Sequence, residues 1–359
     1  MKILKKIKNN NSTQYNLLGI TLYKKEKFIS SKAYYLFGVL FYKKKIKSDG
    51  YEMLLFNKKI YSKKYDVVKK IKPYAKNKDF IYFCFHSGDF YYLCSLIKNN
   101  FDKFKDTVII TNFGYAKLVF EMLDFDTDWV ETHFVVVPNL WLWSLGLWCK
   151  ADGTIISKVQ LDHEAGWLVN NKKQKRKEYL TIAETIKNFL QEKDFKHVTQ
   201  IANCNKRNSI LLIPESQFNG ELDINILENL IKSLTQKGYQ IAINTKSNKY
   251  DNYLNNDVTR VFMNYKETLN FASSCKAIIS VRNGLMDCLQ SVVSNKVKVF
   301  CIYTKWRYPQ YKFFKDFDKW FKAVYSFNKI NSTSIFFEYS DFNFDTTTEI
   351  IKELDKNGV

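Results

Sequence analysis

From Pro73 onward, short runs of apolar, aromatic and β-branched residues alternate with stretches of helical period, and this alternation ends and then begins again once. In the first series Phe80 to Phe85, Thr107 to Thr111 and Phe134 to Val137 read as strands, with helices expected after Asp89 and after Gly114. In the second, Ser209 to Ile213, Tyr239 to Ile243, Ala277 to Val281 and Val297 to Tyr303 read as strands. Helical spacing separates them over Leu222 to Lys237, Lys266 to Ser274 and Gly284 to Val293. Such a rhythm implies parallel strands, because a parallel pair cannot be closed by a tight turn and needs a crossover helix. The restart implies a second unit of the same kind, and 359 residues, 46% of them hydrophobic, supply two cores.

The expected fold class is therefore α/β, with two Rossmann-like domains facing a cleft and a basic N-terminal extension. Residues 1–72 form the extension, 73–203 the first domain, 204–345 the second and 346–359 a C-terminal helix, with the inter-domain boundary near Ala202 to Arg207. Before that boundary a lysine-rich stretch leads into Leu180, Ala183, Ile186 and Leu190 on one helical face, as expected of a long connecting helix between Asn170 and Lys193. The terminal "TTTEIIKELDK" begins with threonines able to cap a helix.

Charge is distributed unevenly. The chain carries +20, of which residues 1–72 hold +15, with 19 Lys or Arg against 4 Asp or Glu. Within this arm Tyr15-Asn-Leu-Leu-Gly-Ile-Thr-Leu-Tyr-Lys-Lys25 returns, 19 residues later, as Tyr34-Tyr-Leu-Phe-Gly-Val-Leu-Phe-Tyr-Lys-Lys44. Aromatic and aliphatic side chains beside lysine clusters suit an anionic bilayer interface. They equally suit two strands or short helices packed on the main body with solvated lysines. Nucleic acid is the third and least favoured partner for the arm.

Other classes lose their signatures. The seven cysteines contain no CxxC pair and mostly lie in apolar runs, which points to a reducing compartment, and the four histidines are too scattered for metal-ligand spacing. No metal is expected. The opening MKILKKIKNNNSTQ lacks the apolar segment of a secretory signal, and no stretch reaches the ~18 apolar residues of a spanning helix. A cytoplasmic protein is expected, with peripheral contact at the inner membrane through residues 1–72 as one reading. GxxxxGK[ST], GxGxxG after a strand, and GxSxG are all missing.

In open parallel sheets ligands bind outside the carboxyl ends of the strands, so the chemistry is sought in strand-to-helix loops. The first is His86-Ser87-Gly88-Asp89 after "FIYFCF", where glycine permits a tight turn and Asp89 is either a helix cap or a general base facing the cleft. Pro214-Glu215-Ser216-Gln217-Phe218-Asn219-Gly220 is dense in hydrogen-bonding groups for phosphate or ribose, or is a solvated turn. Asn244-Thr245-Lys246-Ser247 offers Lys246 as a phosphate ligand. The fourth is Ser280-Val281-Arg282-Asn283-Gly284-Leu285-Met286-Asp287, where glycine lets backbone N–H groups approach a phosphate and Arg282 either grips a diphosphate or pairs with Asp287. Trp306-Arg307-Tyr308 reads as surface packing or a stacking platform.

Two of these segments carry a family likeness. "HSGDFYYLCSLI" resembles the N-terminal glycine-aspartate turn of heptosyltransferase-like glycosyltransferases (family 9), and "LNFASSCKAIISVRNGLMDCLQSV" resembles their C-terminal donor loop. The repeated "YLFG" segment also looks like leaders of some surface-polysaccharide glycosyltransferases. The resemblance implies a GT-B architecture and metal-independent transfer of a sugar, without a cofactor, from a nucleotide-sugar co-substrate to a hydroxyl of a bacterial surface glycan: lipopolysaccharide, lipooligosaccharide or capsule. It implies Asp89 as general base, with His86, Ser87 and Gly88 on the acceptor side. It places Gly284, Leu285 and Met286 in the loop that contacts donor phosphates, and the strand-to-helix loops add Glu215, Ser216, Gln217, Lys246, Arg282, Asn283 and Asp287 as further donor contacts. Arg282-Asn283 departs from the family pattern, in which an acidic or small residue precedes Thr or Ser. Two alternatives stand beside this reading: another group transferase on the same fold, of pyruvyl, phosphoramidate or fucosyl type, and a non-catalytic basic nucleic-acid-binding protein.

Overall fold

A computed structural model describes residues 4–8, 12–17, 20–28, 31–37, 39–47, 50–64, 66–137, 145–162, 166–170, 172–173, 180–194, 196, 208–216, 220–290, 293, 297–304, 317–329 and 335–356. The basic arm is a single antiparallel sheet whose seven strands pair in chain order: β1 (Leu4–Lys8), β2 (Ser12–Leu17), β3 (Ile20–Phe28), β4 (Ser31–Leu36), β5 (Val39–Lys47), β6 (Gly50–Leu55) and β7 (Lys58–Lys64). Register exposes a threefold repeat. Lys6 pairs with Tyr15 and Tyr15 with Tyr23; Lys25, Tyr34 and Tyr42 form the same row 19 residues later, and Lys44, Met53 and Tyr61 form it again. The sequence showed the first two copies; the third hides because Met53 replaces a tyrosine and Phe56-Asn57 replaces a residue-glycine turn.

None of the described meander residues belongs to the hydrophobic clusters of the main body. For the described residues, the expectation of two strands or short helices packed on that body is therefore corrected to a seven-stranded antiparallel sheet outside those clusters. Its cohesion comes from ladder hydrogen bonds and cross-strand side-chain pairs. Lys6 lies over the Tyr15 ring at 5.6 Å and Lys25 over Tyr34 at 5.4 Å, while the Tyr15–Tyr23 and Tyr34–Tyr42 centroids are 6.1 and 5.4 Å apart.

The first lobe follows, starting with α1 (Val67–Ile71), whose Val67 and Ile71 pack under the sheet. After it come β8 (Phe80–Cys84), α2 (Ser87–Asn99), α3 (Phe101–Phe104), β9 (Val108–Thr111), α4 (Ala116–Met122), α5 (Thr127–His133) and β10 (Phe134–Val136). Then β11 (Leu145–Cys149), β12 (Ile155–Asp162), β13 (Gly166–Val169), β14 (Lys172–Lys173) and α6 (Ile182–Phe189) complete it. The sheet runs β10-β9-β8-β11-β12-β13-β14, and β8 to β10 are parallel, as the strand-helix rhythm requires. From β11 on, the pairing is antiparallel, which the rhythm did not reveal. The missed signal is Ala151-Asp152-Gly153-Thr154, a tight turn between two apolar runs that leaves no room for a crossover helix; Gly153 adopts φ +96° there. The long connecting helix is only α6, although Ala183, Ile186 and Leu190 are buried on one side as expected.

The second lobe contains β15 (Ser209–Ile213), α7 (Ile224–Gln236), β16 (Gln240–Asn244), β17 (Val258–Val261), α8 (Tyr265–Ser273), β18 (Ala277–Val281), α9 (Gly284–Leu289), β19 (Lys298–Ile302), α10 (Phe317–Tyr325), β20 (Ile335–Tyr339) and α11 (Phe344–Asp355). Every strand is parallel and the order is β17-β16-β15-β18-β19-β20. This is the doubly wound Rossmann order, whose direction reverses between β15 and β18, so the loops after those two strands open beside each other. The edge strands β17 and β20 escaped the sequence reading because each is short and half exposed. On the outer side α11 packs Ile350 and Leu354 into the core formed with α7.

At their centre the two lobes are in contact. Helices α2 and α9 meet, and one continuous apolar cluster runs from Phe90, Leu93 and Ile97 of the first lobe through Leu285, Met286 and Leu289 of the second. Six of the cysteines are buried thiols within these layers; Cys204 lies outside the described residues.

Candidate active site at the lobe interface

The wholly buried strand β8 delivers the chain through extended His86 (φ −75°, ψ 169°) into α2. Asp89 is the third helical residue, and its Oδ2 accepts the His86 backbone N–H at 3.0 Å. Half of the capping reading is thus correct, since the carboxylate satisfies a donor that the helix start leaves open. Its other oxygen, Oδ1, accepts the Tyr325 hydroxyl from α10 of the opposite lobe at 3.0 Å. Asp89 is 2% exposed. Burial, reinforced by the nearby Asp287 charge, pushes its pKa up to about 7, against the opposing pull of Tyr325, the His86 N–H and Arg282. Ser87 opens the helix, while the His86 ring is solvent-exposed. Crowding by protein atoms pulls the His86 pKa down towards about 4, but its exposure to water limits that drop; in both cases the ring is neutral at pH 7.

Across the interface, Arg282 leaves β18 and turns inward. Its guanidinium makes a bidentate pair with Asp287, Nη1 to Oδ2 at 2.9 Å and Nη2 to Oδ1 at 2.7 Å, and lies 4.6 Å from the Phe327 ring centre. Both partners are 2% exposed or less. Burial works against the Arg282 charge, but Asp287 overcomes it and holds the guanidinium protonated; burial raises the Asp287 pKa, with Arg282 opposing. Asp287 also accepts from the Tyr92 hydroxyl of α2 at 2.9 Å, and Gln290 donates to that hydroxyl at 3.1 Å. Asp89, Tyr325, Arg282, Asp287, Tyr92 and Gln290 therefore form one buried polar network spanning both lobes.

The donor loop is occupied by these internal bonds. Where a diphosphate grip was the alternative, Arg282 instead holds Asp287, because a buried guanidinium needs a carboxylate within bidentate reach. Asn283 Oδ1 accepts the N–H groups of Leu285 and Met286 at 3.0 and 3.2 Å, capping the backbone donors expected to face phosphate. Leu285 and Met286 pack in the shared core. The two loop glycines serve contact between lobes: a Cβ on Gly88 would stand 2.2 Å from Asp287 Oδ2 and 3.2 Å from the Gly284 Cα.

A second polar group forms at the carboxyl ends of β15 and β16. Glu215 accepts from Thr245 Oγ1 and lies 3.4 Å from Lys249, which also pairs with Glu221. The Ser216 N–H bonds to the Gly220 carbonyl at 2.8 Å. Lys246 is exposed and lies over the Phe262 ring at 4.4 Å. Gln217 and Trp306-Arg307-Tyr308 lie outside the described residues. Among the described residues no three His, Cys, Asp or Glu side chains gather as metal ligands.

Tyr92 and Gln290 each sit three residues beyond an acidic member of the network, on the same helical face, and that spacing was available in the sequence. Tyr325 was not: 43 residues separate it from Arg282, and only folding brings it to Asp89.

No family model matches the chain, and no curated protein matches it in sequence. Among solved structures it is similar to the E. coli heptosyltransferase WaaC with ADP-2-deoxy-2-fluoro heptose, at 10% identity over 77% of this chain and 99% of that one, with a TM-score of 0.42. It is also similar to the E. coli ADP-heptose lps heptosyltransferase II, at 10% identity over 72% of this chain and 78% of that one, TM-score 0.39. The S. aureus TarM structure with UDP aligns over 99% of this chain and 73% of its own, at 11% identity and TM-score 0.31.

Proposed function

We propose that this chain is a glycosyltransferase that moves a sugar from a nucleotide-sugar donor to a hydroxyl of a bacterial surface glycan, with Asp89 as the general base. The observation that carries this reading is a carboxylate at the carboxyl end of the first strand of one lobe, raised to about 7 and facing the switch-point helix of a Rossmann lobe. A base of that pKa is poised to take a proton near neutral pH. The acceptor oxygen attacks the anomeric carbon, the bond from that carbon to the diphosphate breaks, and the acceptor proton passes to Asp89. Lys246 and the Glu215-Ser216 loop, beside the switch point, hold the diphosphate and ribose of the donor. Access to Asp89 requires α2 to part from Tyr325, and reclosure excludes water from the donor.

A second reading follows from the mutual satisfaction of Arg282 and Asp287: the network locks two lobes of a non-catalytic scaffold. Donor panels of UDP, GDP, ADP and CMP sugars, with products identified by mass spectrometry, separate the two. Transfer that disappears in Asp89→Asn while nucleotide binding persists supports the base; near-normal turnover in that variant removes it.

A further inference from the structure

We propose that the seven-stranded meander is a docking surface for an anionic phospholipid bilayer, with its apolar hairpin tips entering the headgroup layer. The two ends of the sheet differ. In the sequence the segments joining β2 to β3, β4 to β5 and β6 to β7 read Leu18-Gly19, Phe37-Gly38 and Phe56-Asn57, whereas those joining β1 to β2, β3 to β4 and β5 to β6 read Asn9-Asn10-Asn11, Ile29-Ser30 and Ser48-Asp49. At the apolar end Phe37 is 66%, Val39 59% and Phe56 58% exposed.

Backbone geometry makes these tips unusual. Phe37 and Phe56 adopt φ +48° and +45°, a left-handed conformation that bulky residues disfavour and that Asn or Gly enters cheaply. The Phe56 ring packs edge-on against Phe41, with centroids 5.6 Å apart, and so also serves the sheet; Phe37, 66% exposed, is the ring whose strained position points to an external contact.

The side chains are layered along the strands. Leaving the tip at Val39, β5 reaches Tyr42 after about 10 Å and Lys43 and Lys44 after about 14 to 17 Å, at ~3.4 Å per residue. Along β5, going inwards from water, lysine, tyrosine and phenylalanine thus follow the order of anionic phosphate, headgroup and acyl boundary, whereas β7 places the exposed Lys58 and Lys59 directly beside the Phe56-Asn57 tip. The β3 strand, with Tyr23, Lys24 and Lys25, repeats the arrangement 19 residues earlier. Charge selects this occupant. Residues 1–64 hold 16 lysines against 3 acidic residues, so a second copy of the sheet is repelled while an anionic bilayer is attracted.

The test is flotation of the full chain with phosphatidylglycerol or phosphatidylcholine vesicles. Wild type should float with phosphatidylglycerol alone, and 0.5 M salt should release it. Phe37→Asn with Phe56→Asn should lower partitioning at least about tenfold; Asn suits both turns, and circular dichroism checks that the sheet persists once the Phe41–Phe56 ring contact is lost. Lys25→Glu with Lys44→Glu should do the same by charge. Undiminished flotation of both double variants, equal binding to phosphatidylcholine, or a wild-type oligomer that the Phe double variant dissociates would each overturn the proposal. Nucleotide binding by the second lobe, measured on the same preparations, should not change in either variant.

Discussion

Replacing Gly88 by alanine tests whether the two lobes meet in solution as they do here, because the sign of the effect depends on that contact. In an isolated helix Ala is favoured over Gly by up to about 1 kcal/mol, so with the lobes apart the variant should be neutral or stabilised. With the lobes together, the new methyl stands 2.2 Å from Asp287 Oδ2, and that oxygen must retreat by roughly 1 Å to restore ordinary contact. It cannot do so freely: Arg282 grips the carboxylate at 2.9 and 2.7 Å and Tyr92 holds it at 2.9 Å. Nor can the helix retreat alone, with the Gly284 Cα at 3.2 Å. The methyl can be accommodated only by breaking the Arg282–Asp287 pair, and disrupting a buried ion pair costs about 3–5 kcal/mol, so a net loss of about 2–4 kcal/mol is expected after the helix gain of about 1. Urea unfolding, read as a midpoint shift at constant m, measures it. A cycle with Asp287→Ala should recover part of the loss as coupling. A neutral or stabilised Gly88→Ala refutes the closed interface, and with it the shared network.

Four further outcomes are expected. Because burial holds the native Asp89 pKa near 7 against 3.8, the folded state binds this proton more tightly than the unfolded chain, so its contribution falls as pH rises from about 4 to 7. Wild type relative to Asp89→Asn should therefore lose stability across that window, by at most on the order of 4 kcal/mol, in denaturation series at pH 4 and pH 7. If Asp89 is the base, kcat/KM, which reports the free closed enzyme, should rise with pH through about 7; Tyr325→Phe removes a bond that lowers this pKa and should move that midpoint upward, so an unmoved midpoint counts against the assignment. Arg282→Ala strands Asp287 in the interface and should cost about 3–5 kcal/mol by urea unfolding, while isothermal titration of nucleotide changes little. Lys246→Ala, at an exposed position, should weaken nucleotide binding several-fold by the same titration with an unchanged melting temperature.

Much of the fold was legible because it rests on local rules. Ser209–Ile213 and Ala277–Val281 appear as strands with the bounds their apolar runs indicate, and α7 and α8 fall within two residues of their helical spacing. The antiparallel half of the first sheet was less legible: its local signal is the tight Ala151-Asp152-Gly153-Thr154 turn between β11 and β12, and the pairing of β11 with β8 depends on segments distant in the chain. In the candidate site, Asp89 and the loop around Gly284 were visible as a carboxylate and a glycine at strand-to-helix junctions. Their setting was not, since desolvation and charge pairing depend on neighbours distant in the chain.

By itself, the amino-acid order determined two strand-helix series, a basic arm with a 19-residue period and the acid and arginine at the ends of buried strands. Tertiary structure alone decided that Arg282 grips Asp287, that Tyr325 reaches Asp89 across the interface and that the arm is a seven-stranded antiparallel sheet. The physical reason is range. Periodicity and turn chemistry act within a few residues, whereas the burial that shifts a carboxylate or commits a guanidinium is created only when distant segments exclude water together.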